Sequence, residues 1–108
     1  MLMYPDWRKT AVVGATADGI EEALNVLALR RAPVEKMRVL VPPELAGMEI
    51  RFGGHVFTAE AILHDVLNRV DLVYFSRDDI VAAEYEPVFI RAGAGVVHIA
   101  SMMFLEAA

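Results

Sequence analysis

Cysteine is absent from all 108 residues. Disulfides, thiolate metal sites and a cysteine nucleophile are therefore excluded within this chain. Basic charge is scarce: 10 lysines and arginines stand against 15 aspartates and glutamates, a net charge of −5. A nucleic-acid partner needs a basic face to neutralise phosphate, and this balance predicts none. No apolar run approaches the roughly 18 residues of a membrane span, and no basic stretch followed by an apolar core opens the chain. A soluble cytoplasmic protein without a membrane partner is the expectation. Internal repeats and low-complexity stretches are also missing.

Apolar side chains are abundant, at 56% of residues with a mean hydropathy of +0.42. The length suits one domain spanning 1–108. Small domains have much surface to cover, so the apolar excess predicts burial against another subunit or partner.

The segment Thr10-Ala11-Val12-Val13-Gly14-Ala15-Thr16-Ala17-Asp18-Gly19-Ile20 reads as a buried strand, a glycine turn and a helix start. That layout lets a helix N-terminus cradle a pyrophosphate. The full pattern wants three small residues, G-x-G-x-x-G/A. Here Gly14 is present, Ala17 and Ile20 stand further along, and Asp18 brings a carboxylate to the phosphate position.

Along the rest of the chain, residues 1–8 form a lead-in anchored by Tyr4 and Trp7, and Lys9–Val13 a strand. A helix is predicted from Asp18 to about Arg31, with Ile20, Ala23, Leu24, Leu27 and Ala28 on one face. Asp18 and Glu21 have capping-box spacing, and Pro33 stops the helix. Met37–Val41 is a second strand. Glu49–Phe52 and His55–Thr58 flank Gly53-Gly54 and predict a tight hairpin. A helix over Ala59–Leu67, a strand over Asp71–Phe75, a helix over Asp79–Ala92 interrupted near Pro87, and a strand over Gly95–Ile99 complete the order. The residues 100–108 read as an apolar tail, with Ser101-Met102-Met103-Phe104-Leu105 as a subunit or partner contact. The fold class is α/β: a Rossmann-like, doubly wound, mostly parallel sheet with one β-hairpin excursion.

This series resembles the N-terminal, nucleotide-binding domain of the aspartate-semialdehyde dehydrogenase family, from about Lys9 to Ser101. The matching stretches are Ala11-Val12-Val13-Gly14-Ala15-Thr16, Pro33 to Leu40, Ala46-Gly47, Ile50 to Gly54, Asp71 to Ser76, Glu84 to Pro87, and Ala92-Gly93-Ala94. The resemblance implies an NADP-binding domain, with Gly14, Thr16, Ala17, Gly19 and Ser76 as vestigial cofactor-binding positions. It also implies that the catalytic cysteine, histidine and substrate arginines belong to a second domain, which does not match here.

The departures from that family cluster in the loops. Its phosphate turn reads G-A-T-G-x-x-G, against Ala17 and Ile20 here. Glu44, in Pro42-Pro43-Glu44-Leu45, stands roughly where an arginine for the 2′-phosphate is expected. Ser76-Arg77-Asp78-Asp79 replaces S-A-G-G, and His98-Ile99-Ala100-Ser101 replaces D-N-S-S.

Asp18, Asp78 and Glu44 are expected at the carboxyl-end crevice of the sheet, Asp18 and Asp78 as stabilisers of helix N-termini. The same charges would repel a pyrophosphate. A hard-cation site from Asp18, Glu44, Asp78 and Asp79 is the competing reading of these carboxylates. His55, His64 and His98 are expected to be hydrogen-bonded structural residues, and Ser76 and Ser101 lack a placed base. No catalytic constellation and no metal site is assembled, and no resident cofactor is expected unless a dehydrogenase reading holds, in which case it is NADP.

Three functions follow as expectations. The first is a catalytically inactive relative of the dehydrogenase's NADP-binding domain, acting as a homo-oligomer or partner-binding module. The second is an NADP-binding half or fragment of such an oxidoreductase. The third is a small-ligand sensor using the remodelled crevice.

Overall fold

Strand β1 (Thr10–Val13) is wholly buried and organises the computed structural model, which describes residues 6–102, the side chain of Asp79 excepted. It lies between β2 (Arg38–Val41) and β6 (Leu72–Phe75), both parallel to it, with Ala11–Val13 in register with β2 and all four residues with β6. The five-stranded sheet has the order β5-β2-β1-β6-β7, where β5 is Glu60–Ala61 and β7 is Gly95–His98. Every pairing in it is parallel. The hairpin β3 (Glu49–Phe52) and β4 (His55–Thr58) forms a separate antiparallel pair. Gly53 and Gly54 turn it with φ of 57° and 79°, a conformation that costs a side-chain-bearing residue free energy.

Alternation along β1 divides the core between the two faces of the sheet. Val12 joins Val39 and Val41 beneath α1 (Ala17–Leu29), with Ile50 and Phe57 of the hairpin closing that layer. Ala11 and Val13 join Leu40, Val73 and Phe75 on the other face, against α3 (Asp79–Arg91) and the short α2 (His64–Leu67). Phe75 meets Phe89 of α3 edge to face, with ring centroids 6.0 Å apart. Burying these two aromatics contributes about 1.5–3 kcal/mol each. Among the described residues, no helix is long and apolar enough to cross a membrane.

The predicted α/β sheet and hairpin stand, while local boundaries need correction: α1 ends at Leu29 rather than about Arg31, and β1, β2 and β6 each begin one residue later than expected. The helix α1 begins at Ala17, one residue before the expected start, because Thr16 rather than Asp18 caps it. Thr16 Oγ1 accepts from the Gly19 amide at 3.0 Å, so the third helical residue is a glycine and the Asp18–Glu21 capping box does not form. On the buried face of α1, Val26 joins Ile20, Ala23, Leu24 and Leu27, while Ala28 is half-buried.

Residues 59–67 are not one helix. Glu60 and Ala61 pair with Leu40 and Val41 as the edge strand β5, and only His64–Leu67 is helical. Backbone pairing at the sheet edge outweighs the local helix preference of this segment. Pro87 does not interrupt α3. Proline removes one helical hydrogen bond, but Val81, Ala82 and Phe89 hold both sides of it against the sheet. Ile99, expected to end the last strand, opens a helical turn over residues 99–102.

Trp7 packs at the edge of the α1 layer, as a lead-in anchor should. Tyr4, the other expected anchor, and the tail from Met103 onward lie outside the described residues. Met102 is half-buried against the α1 layer and accepts a hydrogen bond on its carbonyl from Arg30 at 3.1 Å.

Candidate functional site

The sheet order reverses direction between β1 and β6, and a crevice forms there at the carboxyl ends of the strands. It is open, with a volume of about 730 Å³, and lies between the N-termini of α1 and α3. Thr16, Asp18, Gly19 and Glu22 come from the α1 side, Arg77, Asp78 and Ile80 from the α3 side, and Ala100 from the turn after β7.

Two glycines set how closely α1 approaches the strands. A β-carbon at position 14 would lie 2.8 Å from Cγ1 of Ile20 and 2.9 Å from Oγ of Ser76. One at position 19 would lie 2.9 Å from Thr16 Oγ1, the atom that caps the helix. Ile20, where the resemblance implies a third glycine, is fully buried and fills the space over Gly14. Close helix–strand packing is kept, and the room that small residues would leave above the turn is not.

The anion-binding ends of both helices already have partners from this chain. Thr16 holds the Gly19 amide, and Asp18 places a carboxylate in the first turn of α1. Asp78 caps α3, its Oδ1 accepting from the amides of Ile80 at 3.1 Å and Val81 at 3.2 Å. These acidic groups complement the positive ends of the helix dipoles, each by about 0.3–1 kcal/mol.

The one arginine in the crevice is also engaged: Arg77 Nε donates to Glu22 Oε1 at 3.0 Å. With Asp18, Glu22 and Asp78 against Arg77, the described residues lining the crevice carry an excess of two negative charges. The donor set does not fit a pyrophosphate. Each negative charge of a diphosphate about 4 Å from a carboxylate meets a repulsion of about 1 kcal/mol in bulk water, rising to about 4 kcal/mol at an effective dielectric of 20.

Of the sequence-predicted cofactor positions, Thr16 and Gly19 line the crevice. Gly14 and Ser76 lie buried beneath it, and Ala17 packs partly into the core. Ser76 is 4% exposed and its Oγ has no hydrogen-bond partner. Glu44 is separated from Asp18 and Asp78: it sits exposed on the turn after β2 and is not part of the crevice lining. Its charge acts instead on Tyr85, whose phenol is pushed above its ordinary range by burial first, then by Glu84 and Glu44. Among the described residues, no three His, Asp or Glu side chains gather to hold a metal ion.

His98 is a hydrogen-bonded structural residue, as expected. Its Nε2 lies 2.9 Å from Glu86 Oε2, and its ring stacks on Phe75 at 5.8 Å. His55 packs edge-on to Phe57 at 4.5 Å, and His64 is exposed at the start of α2. The Arg77–Glu22 bridge escapes sequence reasoning because its partners are 55 positions apart. A partial signal exists: Glu22 follows Asp18 by one helical turn, so both point to the same side of α1.

Parallel strands, helices on both faces and a crevice at the strand reversal define the class as a Rossmann-like α/β domain. No family model matches the chain. Individual proteins do. The aspartate-semialdehyde dehydrogenase of Campylobacter jejuni is 32% identical over 101 residues, covering 92% of this chain and 29% of that protein. The enzyme of the same name from Corynebacterium glutamicum is 33% identical over 90 residues, 81% of this chain and 26% of its own length. Among solved structures, aspartate semialdehyde dehydrogenase II of Vibrio cholerae, complexed with ASA, aligns with a TM-score of 0.65 at 27% identity. That alignment covers 82% of this chain and 30% of the other. A probable aspartate-semialdehyde dehydrogenase from Pseudomonas aeruginosa aligns equally well by TM-score, 0.65, at 25% identity. The chain is thus homologous to a fragment of the aspartate-semialdehyde dehydrogenase family, consistent with an N-terminal domain. It spans less than a third of the length of these relatives.

Proposed function

We propose that this chain is a binding module related to the NADP-binding part of aspartate-semialdehyde dehydrogenase, one that no longer holds the dinucleotide and works through protein contact. The observation that carries this reading is the self-supplied anion at the crevice: Asp78 on the α3 amides, Asp18 in the first turn of α1, and Arg77 drawn onto Glu22. A repulsion of up to about 4 kcal/mol, at about 1.4 kcal/mol per tenfold, weakens diphosphate binding by as much as about a thousandfold. The same groups stabilise the fold, so the module gains stability from the substitutions that close its crevice to phosphate.

A second reading, the NADP-binding half of a dehydrogenase assembled from more than one piece, is favoured by one observation. The close approach of α1 to β1 at Gly14 and Gly19 is the geometry a dinucleotide-binding turn requires. Calorimetric titration with NADPH and NADP⁺ to about millimolar concentration separates the two. Absence of binding heat supports the module. Micromolar affinity overturns it and makes the dehydrogenase half the reading to pursue.

A further inference from the structure

The helix α3 is apolar on two opposite faces. One face, with Val81, Ala82 and Phe89, is buried against the sheet. The other presents Ile80, Ala83, Pro87 and Ile90, spaced three, four and three residues apart, to solvent. Ile80 is 79% exposed and Ile90 55%. Such spacing places all four side chains in one stripe, about 15 Å long, on the side of the helix away from the core. Beside it runs a shallow groove of about 420 Å³ lined by Ala82, Ala83, Glu86, Pro87, Ile90 and Arg91.

We infer that this face pairs with α3 of a second copy of the chain in an antiparallel, two-fold contact; the inference rests on the reading of the chain as a protein-contact module. The charges flanking the stripe choose that occupant and that orientation. Glu84 and Arg91, both exposed, stand seven residues apart along one flank. In an antiparallel two-fold pair each flank meets itself reversed. Glu84 of one copy then faces Arg91 of the other, twice. In the same register Ile90 of each copy enters between Ala83 and Pro87 of the other, where the small side chains leave the groove. The opposite flank carries Glu86, already engaged by His98 at 2.9 Å. That flank meets itself as well, so the choice rests on Arg91: a parallel pair would set Glu84 against Glu86 and leave Arg91 with no carboxylate of α3 opposite it.

Sedimentation equilibrium over about 10–500 μM tests the contact, since one helix face makes a small, weak interface. The wild type is expected to dimerise in the micromolar range. Glu84→Arg and Arg91→Glu should each weaken the dimer at least about tenfold, and the double exchange should restore it to within about threefold. Ile90→Lys should abolish it. All three positions of substitution are solvent-exposed, and circular dichroism checks that each variant folds. A wild type that stays monomeric at the highest concentration overturns the inference. So does a dimer that these variants leave unchanged, which would leave the module reading standing with its contact on another surface. Failure of the double exchange to restore pairing refutes the antiparallel register.

Discussion

Replacing Gly14 with alanine probes the tightest junction in the molecule. The added β-carbon would lie 2.8 Å from Ile20 Cγ1, 2.9 Å from Ser76 Oγ and 3.3 Å from Ser76 Cβ. Neither neighbour has free space to move into: Ile20 is fully buried and Ser76 is 4% exposed. Overpacking of this kind costs about 1–3 kcal/mol. For a domain of this size that corresponds to a loss of about 5–20 °C in Tm, measurable by thermal and urea unfolding. Ser76→Ala makes the experiment specific. It removes the closer Ser76 atom from the new methyl, and it also deletes a buried hydroxyl that has no partner. Alone, it should stabilise the fold by about 1 kcal/mol, the lower end of the cost of an unsatisfied buried group. In the double variant the Gly14→Ala loss should shrink by about 0.5–1 kcal/mol, with Ile20 still opposing the methyl. A Gly14→Ala loss below about 0.5 kcal/mol, or strict additivity of the two changes, would refute the claim that Ile20 and Ser76 close the space over the turn.

Two further perturbations test the site and the core. Asp78→Ala should cost about 1 kcal/mol in urea unfolding by stripping the cap from the Ile80 and Val81 amides, whereas Asp78→Asn, which can still accept, should cost less. Tyr74 is half-buried against the α1 layer, and burial raises its phenol above the ordinary value of 10.0. The folded state therefore holds the Tyr74 proton more tightly than the unfolded state does. Its stabilisation is complete below pH 10 and is lost as pH rises from there through the folded value, so Tyr74→Phe should flatten the fall of Tm above pH 10. An unchanged alkaline profile would assign that fall to other groups.

The sequence by itself determined the architecture, because the features responsible are local. Continuous apolar runs at Ala11–Val13 and Val39–Val41 can only be strands buried on both faces. The 3.6-residue spacing of Ile20, Ala23, Leu24 and Leu27 requires a one-sided helix, and Gly53-Gly54 fixes the hairpin register through its left-handed φ values. The capping role of Asp78 was legible for the same reason: a carboxylate two and three residues ahead of free amides has one economical use.

Tertiary structure alone decided what depends on partners distant along the chain. The segment around Glu60 became an edge strand because β2 offered its open side, and α3 ran through Pro87 because the sheet held it on both flanks. Glu44 was drawn away from Asp18 and Asp78 by the path of the chain after β2, and Glu22 was brought to Arg77 by the crossing of α1 over the sheet. Local propensity is worth tenths of a kcal/mol per residue, whereas pairing and burial are worth about a kilocalorie or more at each such position. Where the two disagree, the contacts made across the fold prevail, and in the crevice the Arg77–Glu22 bridge is a contact of that kind beside caps that are local.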